Sequence, residues 1–251
     1  MSGAESILLL HGQPGSARDW DRVRAALDGR ATSIAFNRPG WDGVSAPTDL
    51  EGNAGAAAAE LDRAGAERAI IVGHSFGAAV AAWLAATRPE RVSALVLAAP
   101  AANAASLVPL DYILATPVVG DLLSVAALAG AGTALAARPL RVRLARALSV
   151  EDPYLRKMAR RLLDPAAWRA FTSEQRTLVR ELPELERRLH AITVPVKILA
   201  GTADRIVPLS SARSLAAEIP GSELIEMRGA NHLLPQHRAG AVAEAILAAT
   251  V

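Results

Sequence analysis

The chain of 251 residues contains no cysteine, which excludes disulfide bonds, thiolate nucleophiles and cysteine-based metal sites together. Aromatic residues make up only 4% of the chain, too few for a platform on which nucleic-acid bases stack. The formal charge of +2 leaves no large surplus of either sign, and the arginines are scattered along the chain. We therefore expect no nucleic-acid partner.

Long apolar runs and targeting segments are also scarce. The stretch from Val118 to Ala137 approaches the length of a membrane span, but Asp121 and several small residues interrupt it. We expect a helix pair there, buried or in a lid, and no membrane partner. Because no basic segment precedes a long apolar one near the N-terminus, we expect no signal peptide and a cytoplasmic location. No pattern in the sequence specifies an oligomeric state.

The sequence does contain a regular alternation of short apolar runs with helical patterns, and 51% hydrophobic residues suffice for one large core. This alternation is typical of a doubly wound, mostly parallel α/β sheet, here of about six strands. The predicted strands are Ile7–Leu10, Thr32–Phe36, Ala69–Val72, Val92–Ala98, Val196–Ala200 and Glu223–Met227. The predicted helices between them are Asp19–Leu27, Asn53–Ala64, Phe76–Thr87, Ser210–Glu218 and Gln236–Ala249.

One long segment, from about Ala101 to Ile192, has helical periodicity and repeated prolines but no convincing strand. An all-helical insertion after the fourth strand is the simplest account of it. We therefore assign residues 1–100 and 193–251 to a core domain and residues 101–192 to a helical cap. Loops at the carboxyl ends of parallel strands collect the active site, and we expect the cap to cover them as a lid.

The most informative motif is Gly73-His74-Ser75-Phe76-Gly77, which lies between a predicted strand and a predicted helix. A nucleophilic serine needs such a sharp turn, because the turn lifts its hydroxyl clear of the sheet. Small residues two positions before and after the serine let neighbouring backbone pass. Ser75 is therefore the candidate nucleophile.

A serine hydroxyl attacks well only when a base takes its proton, and the base needs a group that orients its ring. Asp204 and His232 each follow the carboxyl end of a predicted strand, so that the chain order is Ser, Asp, His. The stretch Ala98–Ala102, after the fourth strand, contains no carboxylate that competes with Asp204. The candidate catalytic residues are therefore Ser75, Asp204 and His232.

A third element is the loop His11-Gly12-Gln13-Pro14-Gly15, directly after the first strand. Acyl transfer builds negative charge on a carbonyl oxygen, and backbone N–H groups held in place around that oxygen stabilise it. The amides of Gln13 and of Phe76, the residue after the candidate nucleophile, are the candidate oxyanion-hole donors. Trp41 is a candidate substrate-binding residue, because its loop can line the pocket.

Together with Arg38-Pro39-Gly40-Trp41 after the second strand, these motifs resemble those of α/β-hydrolase-fold serine hydrolases over nearly the whole chain. The resemblance implies that Ser75 is the nucleophile, that His232 acts as base and then acid, that Asp204 orients it, and that neither cofactor nor metal takes part. Two features depart from the family pattern. Only ten residues precede His11, so we expect no β-hairpin before it, and Asp42 interrupts the loop after Trp41.

The activity expected from these motifs is hydrolysis of small, largely apolar carboxylic esters through an acyl-enzyme. Leu110 and Leu114, in an apolar stretch of the cap, are candidate substrate-binding residues above Ser75, or else they attach the cap to the core. Alternatives on the same triad are lactone, thioester or carbon–carbon bond hydrolysis, although the small-residue-rich oxyanion loop typical of carbon–carbon hydrolases is absent. A non-catalytic ligand receptor that retains the fold is a further alternative.

Overall fold

The computed structural model describes residues 6–249 and contains one parallel sheet. Its strands are β1 (Ser6–Leu10), β2 (Thr32–Ala35), β3 (Ala69–His74), β4 (Val92–Ala98), β5 (Val196–Gly201) and β6 (Glu223–Met227). In space they follow the order β2-β1-β3-β4-β5-β6, and every neighbouring pair is parallel. The predicted six-stranded doubly wound fold is confirmed.

Eleven α-helices accompany the sheet within the described residues. They are α1 (Asp21–Leu27), α2 (Leu50–Arg63), α3 (Phe76–Thr87), α4 (Pro109–Leu114), α5 (Val119–Ala136), α6 (Arg138–Leu148), α7 (Asp152–Leu162), α8 (Pro165–Glu186), α9 (Leu209–Glu218), α10 (Leu234–His237) and α11 (Ala239–Leu247). The predicted last helix is in fact two, because the backbone leaves the helical conformation at Arg238 (φ −126°, ψ 28°).

The sheet is covered on both faces, and β3 and β4 are buried along their whole length. Such burial explains why both strands are almost continuously apolar rather than alternating. One face packs against α2, α3 and α9, with Leu61, Leu84 and Leu215 in the shared core. The other packs against α1, α10 and α11, with Leu27 and Ile246 fully or almost fully buried.

Between β4 and β5 the described chain forms helices and turns only. The predicted helix pair at Val118–Ala137 is wrong, because the segment forms the single helix α5. Its interior is rich in Ala and Leu and contains no proline, so nothing breaks it. By length and apolar composition α5 is the one described helix that could span a membrane, and in this structure it packs on α6, α7 and α8.

Helix α8 connects the inserted helices to the core. Leu178, Leu182 and Leu185, in its second half, belong to the core cluster around α2 and α3. Trp168 and Phe171, in its first half, pack instead with the separate apolar cluster of α5, α6 and α7. The middle of α8 therefore lies between the cluster around α2 and α3 and the cluster of α5, α6 and α7. The division into a core domain and a cap at residues 101–192 stays a prediction.

Candidate active site

Ser75 lies at the sharp turn between β3 and α3, with φ +53° and ψ −119°. A positive φ is costly for a residue with a side chain, by about 1–3 kcal/mol, and persists only where surrounding contacts fix it. Here the Ser75 N–H donates to the Ala98 carbonyl at 3.0 Å, and the Ala78 N–H donates to the Ser75 carbonyl at 2.9 Å. The structure thus forms the strained elbow that the motif predicts.

The two glycines of the motif are required by close backbone contacts. A Cβ atom at Gly77 would overlap the carbonyl oxygens of Leu10 and His11, and one at Gly73 would overlap the Gly77 carbonyl and Ala78. Backbone atoms cannot move away as a flexible side chain would. The spacing Gly-x-Ser-x-Gly therefore lets the end of β1 pass directly beside the elbow.

The loop after β1 lies against Ser75, because a Cβ atom at Gly12 would be only 3.0 Å from the Cβ of Ser75. Within residues 6–249 the backbone N–H groups of Gln13 and Phe76 donate to no protein acceptor. Phe76 opens α3, where the first N–H groups of a helix have no partner of their own and carry partial positive charge. The arrangement offers two unused N–H donors near the serine, as an oxyanion hole requires.

His232 and Asp204 form a buried pair: Nδ1 of His232 lies 2.8 Å from Oδ2 of Asp204, and their side chains are 9% and 3% exposed. The other Asp204 oxygen accepts the N–H groups of Ile206 and Val207, at 2.8 and 3.0 Å. Burial raises the pKa of Asp204, but its hydrogen bonds and the nearby histidine outweigh burial and hold that pKa below its ordinary value. Asp204 is therefore ionised at neutral pH and can orient the ring.

The loops that carry these two residues are joined to each other. A Cβ atom at Gly201 would overlap the Ala230 carbonyl, so the loops after β5 and β6 run in contact. The Ala203 N–H donates to that same carbonyl at 2.9 Å, and the Gly229 N–H donates to Oγ1 of Thr202 at 2.9 Å. The pair is thus held by adjacent parallel strands rather than by a single loop.

His74, the residue before Ser75 in the elbow, contacts His232. Nε2 of His74 lies 2.9 Å from the His232 carbonyl oxygen, and the centroids of the two rings are 5.0 Å apart. Among the described residues no hydrogen bond joins the Ser75 hydroxyl to the His232 ring. In free enzymes such bonds are often long and shorten only when substrate binds. The His232–Asp204 pair therefore lies against His74, the residue that precedes Ser75 in the elbow, and makes no hydrogen bond to the serine.

The other histidines have different surroundings. His11 and His74 are buried, and burial lowers the pKa of both, that of His74 to about 3. His237 bonds the Leu233 carbonyl, and His190 is exposed. Only the ring of His232 is bonded to a carboxylate in the described chain. No group of three or more metal-ligating side chains comes together within residues 6–249.

Sequence reasoning missed a buried ion pair between Arg38 and Glu174 of α8. The Arg38 guanidinium donates to the carbonyls of His11 and Gly12, at 2.9 and 3.1 Å, as well as to Glu174. These are the two residues before Gln13, so the ion pair fixes the backbone of the loop that carries one oxyanion-hole candidate. Arg38 was visible in the motif after β2, whereas nothing in the sequence marks Glu174.

Trp41 belongs to the same network. Its Nε1 donates to the Glu174 carboxylate at 2.9 Å, and its ring packs against Ala167 and Ala170 of α8. The side chain is buried and joins the loop after β2 to α8. A contact between Trp41 and substrate stays a prediction.

The Gln13 side chain forms a second link to α8. Its Nε2 donates to Oε1 of Gln175 at 2.6 Å, and Nε2 of Gln175 donates to Asp111 of α4 at 3.0 Å. Glu174, acting through Arg38, and Gln175 are adjacent on α8 and therefore hold the loop after β1 by its backbone and by the Gln13 side chain. The position of the inserted helices and the geometry of this loop are coupled.

The structure places Leu110 and Leu114 differently from each other. Leu114 is partly buried, whereas Leu110 is 56% exposed. Their helix α4 has only six residues and contacts α5 and α8 on one side, which leaves Leu110, Tyr112 and Ile113 facing outwards. More than half of the Leu110 side chain is therefore open to solvent in this structure. A substrate-binding role for either leucine stays a prediction.

The buried ion pair predicts a large loss of stability in Glu174→Gln. The change leaves the Arg38 charge buried without a counter-charge, and removing one partner of such a pair typically costs about 3–5 kcal/mol in free energy of unfolding. Urea denaturation measures it. Glu184→Gln, on the same helix, removes only surface pairs with Arg187 and Arg188 and should leave the midpoint unchanged. Equal shifts of the urea midpoint in both variants would show that the buried pair contributes no more to stability than the surface pairs do.

Comparisons with known proteins identify the family. The sequence model of the alpha/beta hydrolase family matches residues 7–245. The chain is 31% identical over 242 residues to RutD of Klebsiella pneumoniae, a protein named for carbamate hydrolysis, with 92% of this chain and 85% of that protein covered. It is 28% identical over 250 residues to 2-hydroxy-6-oxononadienedioate/2-hydroxy-6-oxononatrienedioate hydrolase 2 of Pseudomonas putida, with 92% and 82% covered.

Solved structures show the same fold. The crystal structure of an alpha/beta hydrolase fold protein from Burkholderia ambifaria matches with a TM-score of 0.80 at 24% identity, covering 99% of this chain and 92% of that chain. The match of the family model over nearly the whole described chain agrees with it. The chain therefore belongs to the alpha/beta hydrolase family.

Proposed function

We propose that the protein is a serine hydrolase that cleaves small, largely apolar carboxylic esters through an acyl-enzyme. The observation that carries the proposal is the 2.8 Å pair of His232 and Asp204 beside a serine held at positive φ in a strand–turn–helix elbow. A plain turn between a strand and a helix would need neither backbone strain at the serine nor a histidine oriented by a carboxylate. Together they form the arrangement that activates a serine hydroxyl.

In the proposed reaction the Ser75 hydroxyl attacks the ester carbonyl while His232 takes its proton. The negative charge that forms on the carbonyl oxygen is stabilised by the N–H groups of Gln13 and Phe76. His232 then protonates the leaving alcohol, and the acyl group remains on Ser75. A water molecule, deprotonated by His232, attacks the acyl-enzyme and releases the acid and the free serine.

The surroundings of the serine support a small and uncharged substrate. Ser75 and His232 are only 6% and 7% exposed, so the site is enclosed. Two buried charges that contact the backbone or the helix beside this loop, Arg38 and Glu174, neutralise each other. Burying a charged substrate group without a partner would be costly, whereas an apolar group gains from leaving water.

Carbamate hydrolysis is the second candidate, because the chain is 31% identical to a protein named for that activity. A carbamate carbonyl passes through the same kind of tetrahedral intermediate as an ester carbonyl. The proposed triad and oxyanion hole would serve both, and the difference lies in the leaving group that His232 protonates. Only substrate comparison separates the two.

The test combines active-site labelling with turnover. A fluorophosphonate should label wild-type protein at Ser75, leave Ser75→Ala unlabelled, and still label Ser93→Ala, which loses a different buried hydroxyl. Nitrophenyl esters of increasing chain length, a lactone, a thioester and an aryl carbamate are then compared by kcat/KM. We expect short esters to be cleaved best. A higher kcat/KM for the carbamate would favour the second candidate, and labelling without turnover of any substrate would favour a receptor.

A further inference from the structure

A cavity of about 570 Å³ lies between the core and α7. Ser16 and Asp19 of the segment after β1 form part of one wall, together with Trp41 and its loop, and α7 forms the opposite wall. None of the three candidate catalytic residues lines it. The cavity is therefore distinct from the enclosed site at the elbow.

Several cationic side chains around this cavity have no partner in the described chain. Of five cationic side chains that line the cavity, Arg22 is occupied by Glu151 and by the Gln236 carbonyl. The other four make no hydrogen bond or ion pair with any described residue: Arg18, Lys157, Arg160 and Arg161. Arg161 lies deepest among them, and burial lowers the pKa of its guanidinium.

The acidic side chains that line the cavity form no ion pair with these four cations. Five acids line the cavity, as many as the cations, but only one of them pairs with a cation and three others accept backbone N–H groups. These four are Asp19, which accepts the Ser16 N–H at 2.8 Å; Asp42, which accepts the N–H groups of Val44 and Ser45; Glu151, which pairs with Arg22; and Asp164, which caps α8 at Ala166. Asp21, which is exposed, is the remaining one.

Two further observations show unused hydrogen-bond donors near Arg161. Asp19 and Arg161 affect each other electrostatically, yet their side chains form neither an ion pair nor a hydrogen bond in the part of the chain that the structure describes. Tyr154 lies close enough to Asp19 that burial, together with the Asp19 charge, raises the pKa of its hydroxyl, and that hydroxyl has no hydrogen-bond partner among residues 6–249. A guanidinium and a hydroxyl with unused donors thus line the same cavity.

We infer that this cavity binds a small anion, a molecule that carries a carboxylate, sulfate or phosphate group, with Arg161 and Tyr154 as its principal ligands. The guanidinium supplies charge-assisted hydrogen bonds, and the tyrosine supplies a neutral donor. Lys157 and Arg160, on the same helix, and Arg18 from the core side add attraction at the rim. The inference does not depend on hydrolysis at Ser75.

The carboxyl group of Asp19 makes anion binding depend on pH. Burial raises the pKa of Asp19 to about 6. Below that pH the group is protonated and neutral, whereas above it the negative charge repels a bound anion. The charged and titratable groups that share the wall with Asp19 are the five cations, Tyr154 and the acids Asp21, Asp42, Glu151 and Asp164. An anion should bind roughly tenfold more tightly at about pH 5 than at about pH 7.5.

Isothermal titration with sodium sulfate tests the inference, because sulfate keeps its charge over this pH range. Ionic strength is held constant with chloride. We expect one saturable site on the wild type, weakened about tenfold or more in Arg161→Gln and less in Tyr154→Phe. Arg156→Gln is the matched control, since Arg156 is exposed on the same helix and does not line the cavity. Its affinity for sulfate should equal that of the wild type.

Two more variants complete the experiment. Asp19→Asn keeps an oxygen for the Ser16 N–H but removes the titrating group, so it should abolish the pH dependence of sulfate binding. Ser75→Ala should bind sulfate like the wild type, which separates this inference from the proposed hydrolysis. Absence of saturable binding to the wild type would overturn the inference. So would equal weakening by Arg161→Gln and Arg156→Gln, since the sulfate would then bind elsewhere on α7.

Discussion

Ser75→Ala is expected to abolish hydrolysis, with a loss in kcat of roughly 10³-fold or more. The change deletes the attacking oxygen and adds no bulk at the elbow. The Ser75 hydroxyl makes no hydrogen bond with any described residue, so its removal leaves no buried partner unsatisfied. Alanine meets the same backbone strain at φ +53° as serine does. The free energy of unfolding should therefore stay close to the wild-type value.

The measurement pairs initial rates on a short nitrophenyl ester with urea denaturation of the same preparations. Ser93→Ala serves as the control, because it also removes a buried serine hydroxyl, on β4, and should retain activity. Near-wild-type turnover by Ser75→Ala would disprove its role as nucleophile. Loss of activity together with loss of folding would leave that role unsupported by this variant, and the fluorophosphonate label at Ser75 would then decide it.

The parts of the site that could be predicted from the sequence are those that follow from local pattern. An apolar run that ends in Gly-x-Ser-x-Gly and continues as a helix places the serine at the turn between a strand and a helix. Asp204 and His232 each follow a strand, and parallel strands bring their carboxyl ends to one edge of the sheet. The 2.8 Å contact between these two side chains is consistent with that geometry, because β5 and β6 are neighbours in the sheet.

The network between α8 and the loop after β1 could not be predicted in that way. Arg38 and Glu174 are 136 residues apart, and a glutamate in an amphipathic helix is ordinarily solvent-exposed. Which face of α8 meets the core depends on how the inserted helices pack, and helical periodicity does not contain that information. For the same reason the apolar stretch around Leu110 does not reveal from the sequence that Leu110 is 56% exposed. Periodicity shows that residues share a face, but not what covers it.

Asp204→Asn is expected to lower kcat by about 10⁴-fold when the pH is near neutral. The Asp204 carboxylate accepts a hydrogen bond from Nδ1 of His232, which leaves Nε2 unprotonated and free to take the serine proton. An asparagine amide can donate to Nδ1 instead and so hold the ring in the wrong tautomer. It also lacks the charge that stabilises the imidazolium formed during attack. Steady-state rates on the best ester measure the loss.

The chain offers a matched control for this variant. One oxygen of Asp204 accepts the N–H groups of the residues two and three positions later, and Asp42 makes the same turn with Val44 and Ser45. Asp42→Asn therefore changes the same kind of turn without touching a histidine, and its kcat should remain near the wild-type value. If both variants lost activity equally, the turn rather than the histidine contact would explain the loss. If Asp204→Asn stayed active while another carboxylate proved essential, Asp204 would not be the acid of the triad.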